Sequence, residues 1–232
     1  MLNLMKQELK RNKIDTYILA SIISCVILII FTYFVAYVAK VENEVEFQNY
    51  NNIFKFVGII SLLIFSIMST IMYVNLVIND YKGARLGLLF SYPVNRKKIL
   101  ISKILIVFIF SSISIFICTT IPFILFSITE IISPIVKDTF SLELLFSTLK
   151  RIFISILGVG GIGIISMRIG FIKKSVPTAL VTSFILSGIL GNIIVYSIDN
   201  VAVISIVVLI ILCSIAFVIL ELANKINNME VD

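Results

Sequence analysis

Six apolar stretches dominate the chain, five of them uncharged, and each has the roughly 20 residues needed to cross a hydrocarbon core of about 30 Å. Five are uninterrupted: Tyr17–Ala39, Phe56–Asn79, Ile104–Thr129, Ser175–Ile198 and Val201–Leu220. The sixth, Ile152–Ile172, contains only Arg168 near its end, where a long side chain can snorkel to the headgroups. Hydrophobic residues make up 59% of the chain and charged ones 14%, against about 45–50% and about 25% in soluble domains. So little polar surface cannot cover a water-soluble globule, and lipid must be part of the solvent. The expectation is an all-α, polytopic membrane protein of six transmembrane helices forming a single domain over residues 1–232.

Charge placement gives the orientation. The net charge of +6 points to lipid rather than to nucleic acid once the basic residues are set against the spans. Lys6, Lys10, Arg11 and Lys13 precede span one, and Lys82, Arg85, Arg96, Lys97, Lys98 and Lys103 lie between spans two and three. Arg168, Lys173 and Lys174 lie between four and five, and Lys225 follows span six. These alternate segments hold fourteen of the 19 basic residues, which places both termini in the cytoplasm by the positive-inside rule. The basic N-terminal stretch runs into a full-length apolar segment with no cleavage pattern, so it reads as a retained first helix. A bias toward Ile, Asn, Lys and Phe fits an AT-rich bacterial genome and a location in the bacterial cell membrane.

Two segments have the pattern of surface helices. In residues 1–15, Leu2, Met5 and Leu9 share a face opposite Lys6, Lys10 and Lys13, as in a basic helix on the inner leaflet. In residues 138–150, Leu142, Leu145, Phe146 and Leu149 recur with helical spacing. That piece reads as an external interfacial helix or as the tilted entrance to span four.

Familiar enzyme chemistry is missing. Gly158, Gly160, Gly161 and Gly163 match a dinucleotide-binding glycine pattern, but they lie inside an apolar span with no acid before Asp199, so they read as helix-packing positions. There is no P-loop and no histidine, and Cys25, Cys118 and Cys213 sit in apolar runs. A metal site, a disulfide framework and a catalytic role are not expected, and no cofactor is expected in this chain. Asp80, Glu130, Asp199 and Glu221 lie at span edges, leaving span interiors without the acids that ion-coupled transporters use. Any transport therefore draws its energy from elsewhere.

The loop between spans two and three, residues 80–103, carries the most information. Leu86, Leu89 and Phe90 share a helical face away from Lys82 and Arg85; Pro93 ends that helix and Asn95 can cap the next. Either this is a basic interfacial loop, or it is an apolar knob that docks on a cytoplasmic partner. The run resembles the coupling loop of permease subunits of ABC-2 type transporters. Leu88-Leu89, Pro93, Asn95-Arg96 and Lys103 stand at the places of that family's motif, with Asp80 where many members carry a glutamate. The resemblance extends to the N-terminal amphipathic helix and the six spans of the ABC-2, type V exporter-like permease fold. The connection Asp199-Asn200 is tighter than the family's paired external helices. Size and composition are similar to permeases of Gram-positive peptide exporters and antimicrobial-peptide immunity systems, including exporters of phenol-soluble modulins.

The resemblance implies a transport subunit without catalytic activity. It implies partnership with an ATP-binding-cassette ATPase subunit, which supplies ATP and Mg, and with a second permease in a homo- or heterodimer. The implied ATPase contacts are Asp80, Arg85, Leu86, Leu88, Leu89, Phe90, Pro93, Arg96, Lys97 and Lys98, with Arg168, Lys173 and Lys174 forming a smaller second contact. Some of these basic residues serve equally for anionic lipid. The implied substrate is an amphipathic peptide or other amphiphile. Asn75, Ser112, Thr119, Thr120 and Asn192 are candidates for a substrate path, although residues of these types more often bond their own or neighbouring helices. Glu42, Glu44 and Glu46 read as a solvated acidic loop, with attraction of a cationic peptide as the other reading. The rivals are a secondary transporter and a non-transporting scaffold or sensor accessory.

Overall fold

A computed structural model of the chain describes residues 5, 8, 14–42, 48–80, 96–136, 138, 141–173, 175–197 and 200–227. Among the described residues six long helices carry the fold: α1 (Ile14–Glu42), α2 (Tyr50–Tyr73), α3 (Arg96–Ile132), α4 (Leu142–Lys173), α5 (Val176–Ser197) and α6 (Val201–Asn227). A π-helical turn, Val74–Ile78, prolongs α2. All six are long and apolar enough to cross a membrane, as the hydropathy pattern predicts. They alternate in direction, giving the bundle two ends. The near end holds the start of α1, the end of α2 and the start of α3; the far end holds the start of α2, the end of α3 and the start of α4.

Helices α2 and α4 form the buried centre, and α1, α3, α5 and α6 pack around them. Leu62, Phe65 and Met72 of α2 and Val159, Ile162 and Met167 of α4 are almost wholly enclosed. The outward faces of the peripheral helices are apolar too, with Leu19, Ile30 and Phe34 on α1 and Leu209, Ile210 and Phe217 on α6 exposed. A helix that is apolar all round belongs in lipid.

The glycine cluster lies within an unbroken α4 and brings its neighbours close. A Cβ on Gly161 would stand 2.8 Å from Ile211 of α6, and one on Gly163 would stand 2.8 Å from the Tyr73 ring of α2. A Cβ on Gly160 would run into the Phe108 ring of α3. Three helices therefore approach α4 more closely than any side chain would permit, which is how small residues hold membrane bundles together. Two buried threonines bond within their own helices: Thr32 donates to the Leu28 carbonyl at 2.7 Å and Thr70 to that of Ser66 at 2.9 Å. Helix α3 continues through Pro122.

Residues 142–150 are the first turns of α4, continuous with the span rather than a separate surface helix. Leu142, Leu145, Phe146 and Leu149 face outward and are exposed, while Leu144, Thr148 and Arg151 turn inward. In lipid an apolar face can be the outer one, and the side of this helix that packs carries Leu144, Thr148 and Arg151.

Candidate functional site

The π-turn at the end of α2 shapes the near end. Its ring is one residue wider than an α-turn: the Asn79 N–H donates to the Val74 carbonyl at 2.9 Å, and the Asp80 N–H to that of Val77 at 3.1 Å. With the Asp80 amide committed to Val77, the Leu76 carbonyl accepts a hydrogen bond from Lys103 Nζ at 2.8 Å. Lys103 sits two turns into α3 and its side chain is fully buried. Its ammonium is also in direct contact with the Asp80 carboxylate, and Glu8 Oε1 lies 3.9 Å away. π-Turns of this kind concentrate at functional positions. Here the turn aims a carbonyl, at the negative end of a helix, toward a cation.

Lys103 thus ties α3 to the end of α2, the two elements on either side of residues 81–95, which lie outside the described residues. Next to this clasp, Asn75 Nδ2 donates to the Tyr17 hydroxyl of α1 at 2.7 Å, and Asn79 Nδ2 donates to Asn75 Oδ1 at 3.2 Å. The first three spans are fastened to one another by polar contacts at one level. Removing a buried ammonium and a buried carboxylate from water costs several kcal/mol per ion, so the pair persists only because each neutralises the other in good geometry.

Several sequence-predicted contact residues lie outside the described residues: Arg85, Leu86, Leu88, Leu89, Phe90, Pro93 and Lys174. So does the interfacial helix of residues 1–15, apart from Met5, Glu8 and the start of α1. Arg96 opens α3, followed by a half-buried Lys97 and an exposed Lys98. Asp80 does not face outward; its carboxylate is turned into the bundle against Lys103. Arg168 bonds Glu221 of α6 at 2.5 Å and lies 5.6 Å from the centre of the Phe217 ring. Lys173 ends α4 and is exposed.

The candidate path residues do not gather in one place. Asn75 belongs to the near-end cluster. Ser112, Thr119 and Thr120 donate to carbonyls of their own helix at 2.7, 2.6 and 2.6 Å. Asn192 donates to the Gly188 carbonyl at 2.8 Å on the exposed side of α5. Thr119 also lines a cavity beside Arg151. No group of three metal-ligating side chains exists among the described residues.

Sequence reasoning missed two polar clusters at the far end. The buried Glu130 carboxylate accepts from the Tyr50 hydroxyl at 2.8 Å and from the Ile135 and Val136 amides at 2.9 and 3.3 Å. The Tyr50 amide donates to Asp138 at 2.9 Å. Arg151 donates to Asn51, at 2.6 Å to its side-chain oxygen and 3.3 Å to its carbonyl. A signal was present: Thr148, Arg151 and Ser155 recur at spacings of three and four along α4, a polar stripe that an apolar-face reading passes over.

Residues 4–191 match the family model described as "ABC-2 family transporter protein". The chain is 25% identical over 185 residues to "Uncharacterized protein YcbO" of Bacillus subtilis (strain 168), covering 80% of this chain and 81% of that protein. No solved structure matches the chain.

Proposed function

We propose, from the premise that the chain belongs to the family of ABC-2 transporter proteins, that it is the permease subunit of an ATP-driven exporter. It spans the membrane six times. The substrate is an amphipathic peptide or similar amphiphile, and the energy comes from a separate ATP-binding-cassette subunit, with a second permease completing the pathway. The near end faces the cytoplasm in this reading, because the basic residues concentrate there.

The observation that carries this reading is the Asp80–Lys103 clasp at the base of loop 81–95. A loop that only joined two spans needs no buried ion pair at its root. A loop that receives force from a soluble partner does, because its two stalks must move as one body. On this reading Asp80 is a positioning residue within the permease, and the contact itself falls to Leu86, Leu88, Leu89 and Phe90 beyond it. Lys97, Lys98 and Lys173 are basic residues at the same end, suited to acidic partner groups or anionic lipid.

Co-expression with the ATPase subunit tests the reading. The expected outcome is a stable complex whose hydrolysis falls when Leu89→Asp or Arg96→Glu is introduced, with the permease still folded in the membrane. Substrate movement by the purified chain alone in proteoliposomes would overturn the proposal.

A further inference from the structure

Where α2, α4 and α5 meet, four serine hydroxyls lack a hydrogen-bond partner: Ser66 and Ser69 of α2, Ser166 of α4 and Ser183 of α5. All four residues are fully enclosed. A helical serine ordinarily relieves such burial by donating to a carbonyl about one turn back, as Ser187 does to Phe184 at 2.8 Å. These four do not, and a buried donor without an acceptor is costly.

The helix contacts bring the four to one level. A Cβ on Gly163 would stand 2.5 Å from Ser69 Oγ, so that hydroxyl rests against bare α4 backbone about one turn from Ser166. A Cβ on Gly170 would stand 2.7 Å from Ala179 Cβ. Because α4 and α5 are antiparallel, one turn back from Gly170 and one turn on from Ala179 sets Ser166 opposite Ser183. A Cβ on Gly191 would stand 3.1 Å from Ile59 of α2, and about two turns along from that contact the antiparallel register brings Ser66 level with Ser183. Ser183 is seven residues from the start of α5 and Ser166 seven from the end of α4, so the hydroxyls lie about 10 Å in from the near end at 1.5 Å per residue.

The inward face of α5 is built from small residues at every fourth position, Ala179, Ser183, Ser187 and Gly191. Its outward face carries the exposed Val181, Phe184, Ile185 and Ile189. In lipid, parting two helices costs packing contacts and hydrogen bonds rather than hydrophobic burial. At this seam the four unpartnered hydroxyls contribute no hydrogen bond to the closed arrangement, and they gain one wherever water reaches them. A bound water needs about two to four polar partners, which a cluster of hydroxyls supplies.

We propose that α5 parts from α2 and α4 along this seam and admits water to Ser66, Ser69, Ser166 and Ser183, the closed seam being one of two states of the bundle. The seam lies within this one chain and opens without an ATPase, so its failure and the failure of the permease reading are separate results.

Cysteine accessibility in the full-length protein tests this, with Cys25, Cys118 and Cys213 changed to Ala and the probe 2-aminoethyl methanethiosulfonate, a small water-borne reagent followed by intact mass. Serine to cysteine changes a single atom, so the fold is kept. Ser69→Cys and Ser183→Cys should react at least tenfold faster than Thr32→Cys, an equally enclosed position on α1 whose hydroxyl bonds the Leu28 carbonyl. Ser183→Ala removes one hydroxyl that the closed seam leaves without an acceptor, and should slow labelling of Ser69→Cys at least threefold. Ser187→Ala removes a hydroxyl that is already bonded and should leave that rate unchanged. Labelling of both seam positions no faster than at Thr32→Cys overturns the opening. An unchanged rate in Ser183→Ala, or equal slowing in Ser187→Ala, overturns the role of the unpartnered hydroxyls in it.

Discussion

Lys103→Met should be among the most destabilising single substitutions in the chain. The fully buried ammonium contacts the Asp80 carboxylate and the Leu76 carbonyl, with Glu8 3.9 Å away. Its removal leaves a buried carboxylate at a helix C-terminus, where the backbone dipole is also unfavourable. Breaking a buried pair from one side costs about 3–5 kcal/mol. For a chain of this length, 1 kcal/mol moves the midpoint by about 2–4 °C, so a loss on the order of 10 °C is expected. Asp80→Asn should cost less, because the amide oxygen still accepts from Lys103. The double variant should recover part of the loss, with a coupling energy of about 2–3 kcal/mol. Exchanging the charges, Asp80→Lys with Lys103→Asp, should not restore stability, because the Leu76 carbonyl and Glu8 then face an acid. The buried thiols of Cys25 and Cys118 provide the assay: a fluorogenic maleimide reports their exposure on heating, with exposed Cys213 changed to Ser. Additive single effects, or a charge exchange as stable as the native protein, would refute the clasp.

The same assay checks three further expectations. Gly163→Val places a side chain 2.8 Å or less from Tyr73 and Ser69 and should cost about 1–3 kcal/mol through overpacking, whereas Gly188→Ala meets nothing within 4 Å and should stay within about 0.5 kcal/mol. Tyr50→Phe removes a hydroxyl donor from buried Glu130 and should cost about 1–3 kcal/mol; a neutral result means the carboxylate is held by the Ile135 and Val136 amides alone. Arg168→Gln breaks an ion pair whose members are about one-third exposed, so it should change stability by less than about 1 kcal/mol, and a larger loss would mean that the contact with Phe217 is the main one.

The spans were legible because length and hydropathy are properties of a single segment. The packing role of Gly158–Gly163 was legible for the same reason, since an apolar context alone rules out the nucleotide reading. Pairings between distant residues were not. Nothing in the local sequence of Lys103 distinguishes a lysine that snorkels to the interface from one that turns inward to Asp80, 23 positions earlier; the π-turn between Val74 and Ile78 decides it, and π-turns leave no composition signal. Glu130 reads as a span-edge acid, and Arg151 stands just ahead of the apolar run Ile152–Ile172, so neither position announces a buried charge. Their burial depends on Tyr50 and Asn51, which lie next to each other at the start of α2 and reach different helices. For residues 142–149 the sequence left two readings open, and the continuous helix Leu142–Lys173 is the second of them; periodicity finds the apolar side of a helix but does not say whether protein or lipid lies against it.

These pairings share one element. Helix α2 holds Tyr50 and Asn51 at the far end and, through the π-turn, Asp80 at the near end; its 29-residue span is about 43 Å long at 1.5 Å per residue. Between those ends it is pressed against α4 at Gly163, where neither helix can slide without a collision between Tyr73 and the α4 backbone. On the proposed coupling route, a push on loop 81–95 reaches Lys103 and Asp80 together, so α2 and α3 move at their bases as a unit and α4 follows α2. The far-end contacts of α2, to Glu130 on α3 and Arg151 on α4, are then the bonds that resist or release that motion. On that proposed route a permease driven from one end needs a stiff rod with a fastening at each end, and α2 meets both needs through Lys103 at one end and Glu130 and Arg151 at the other.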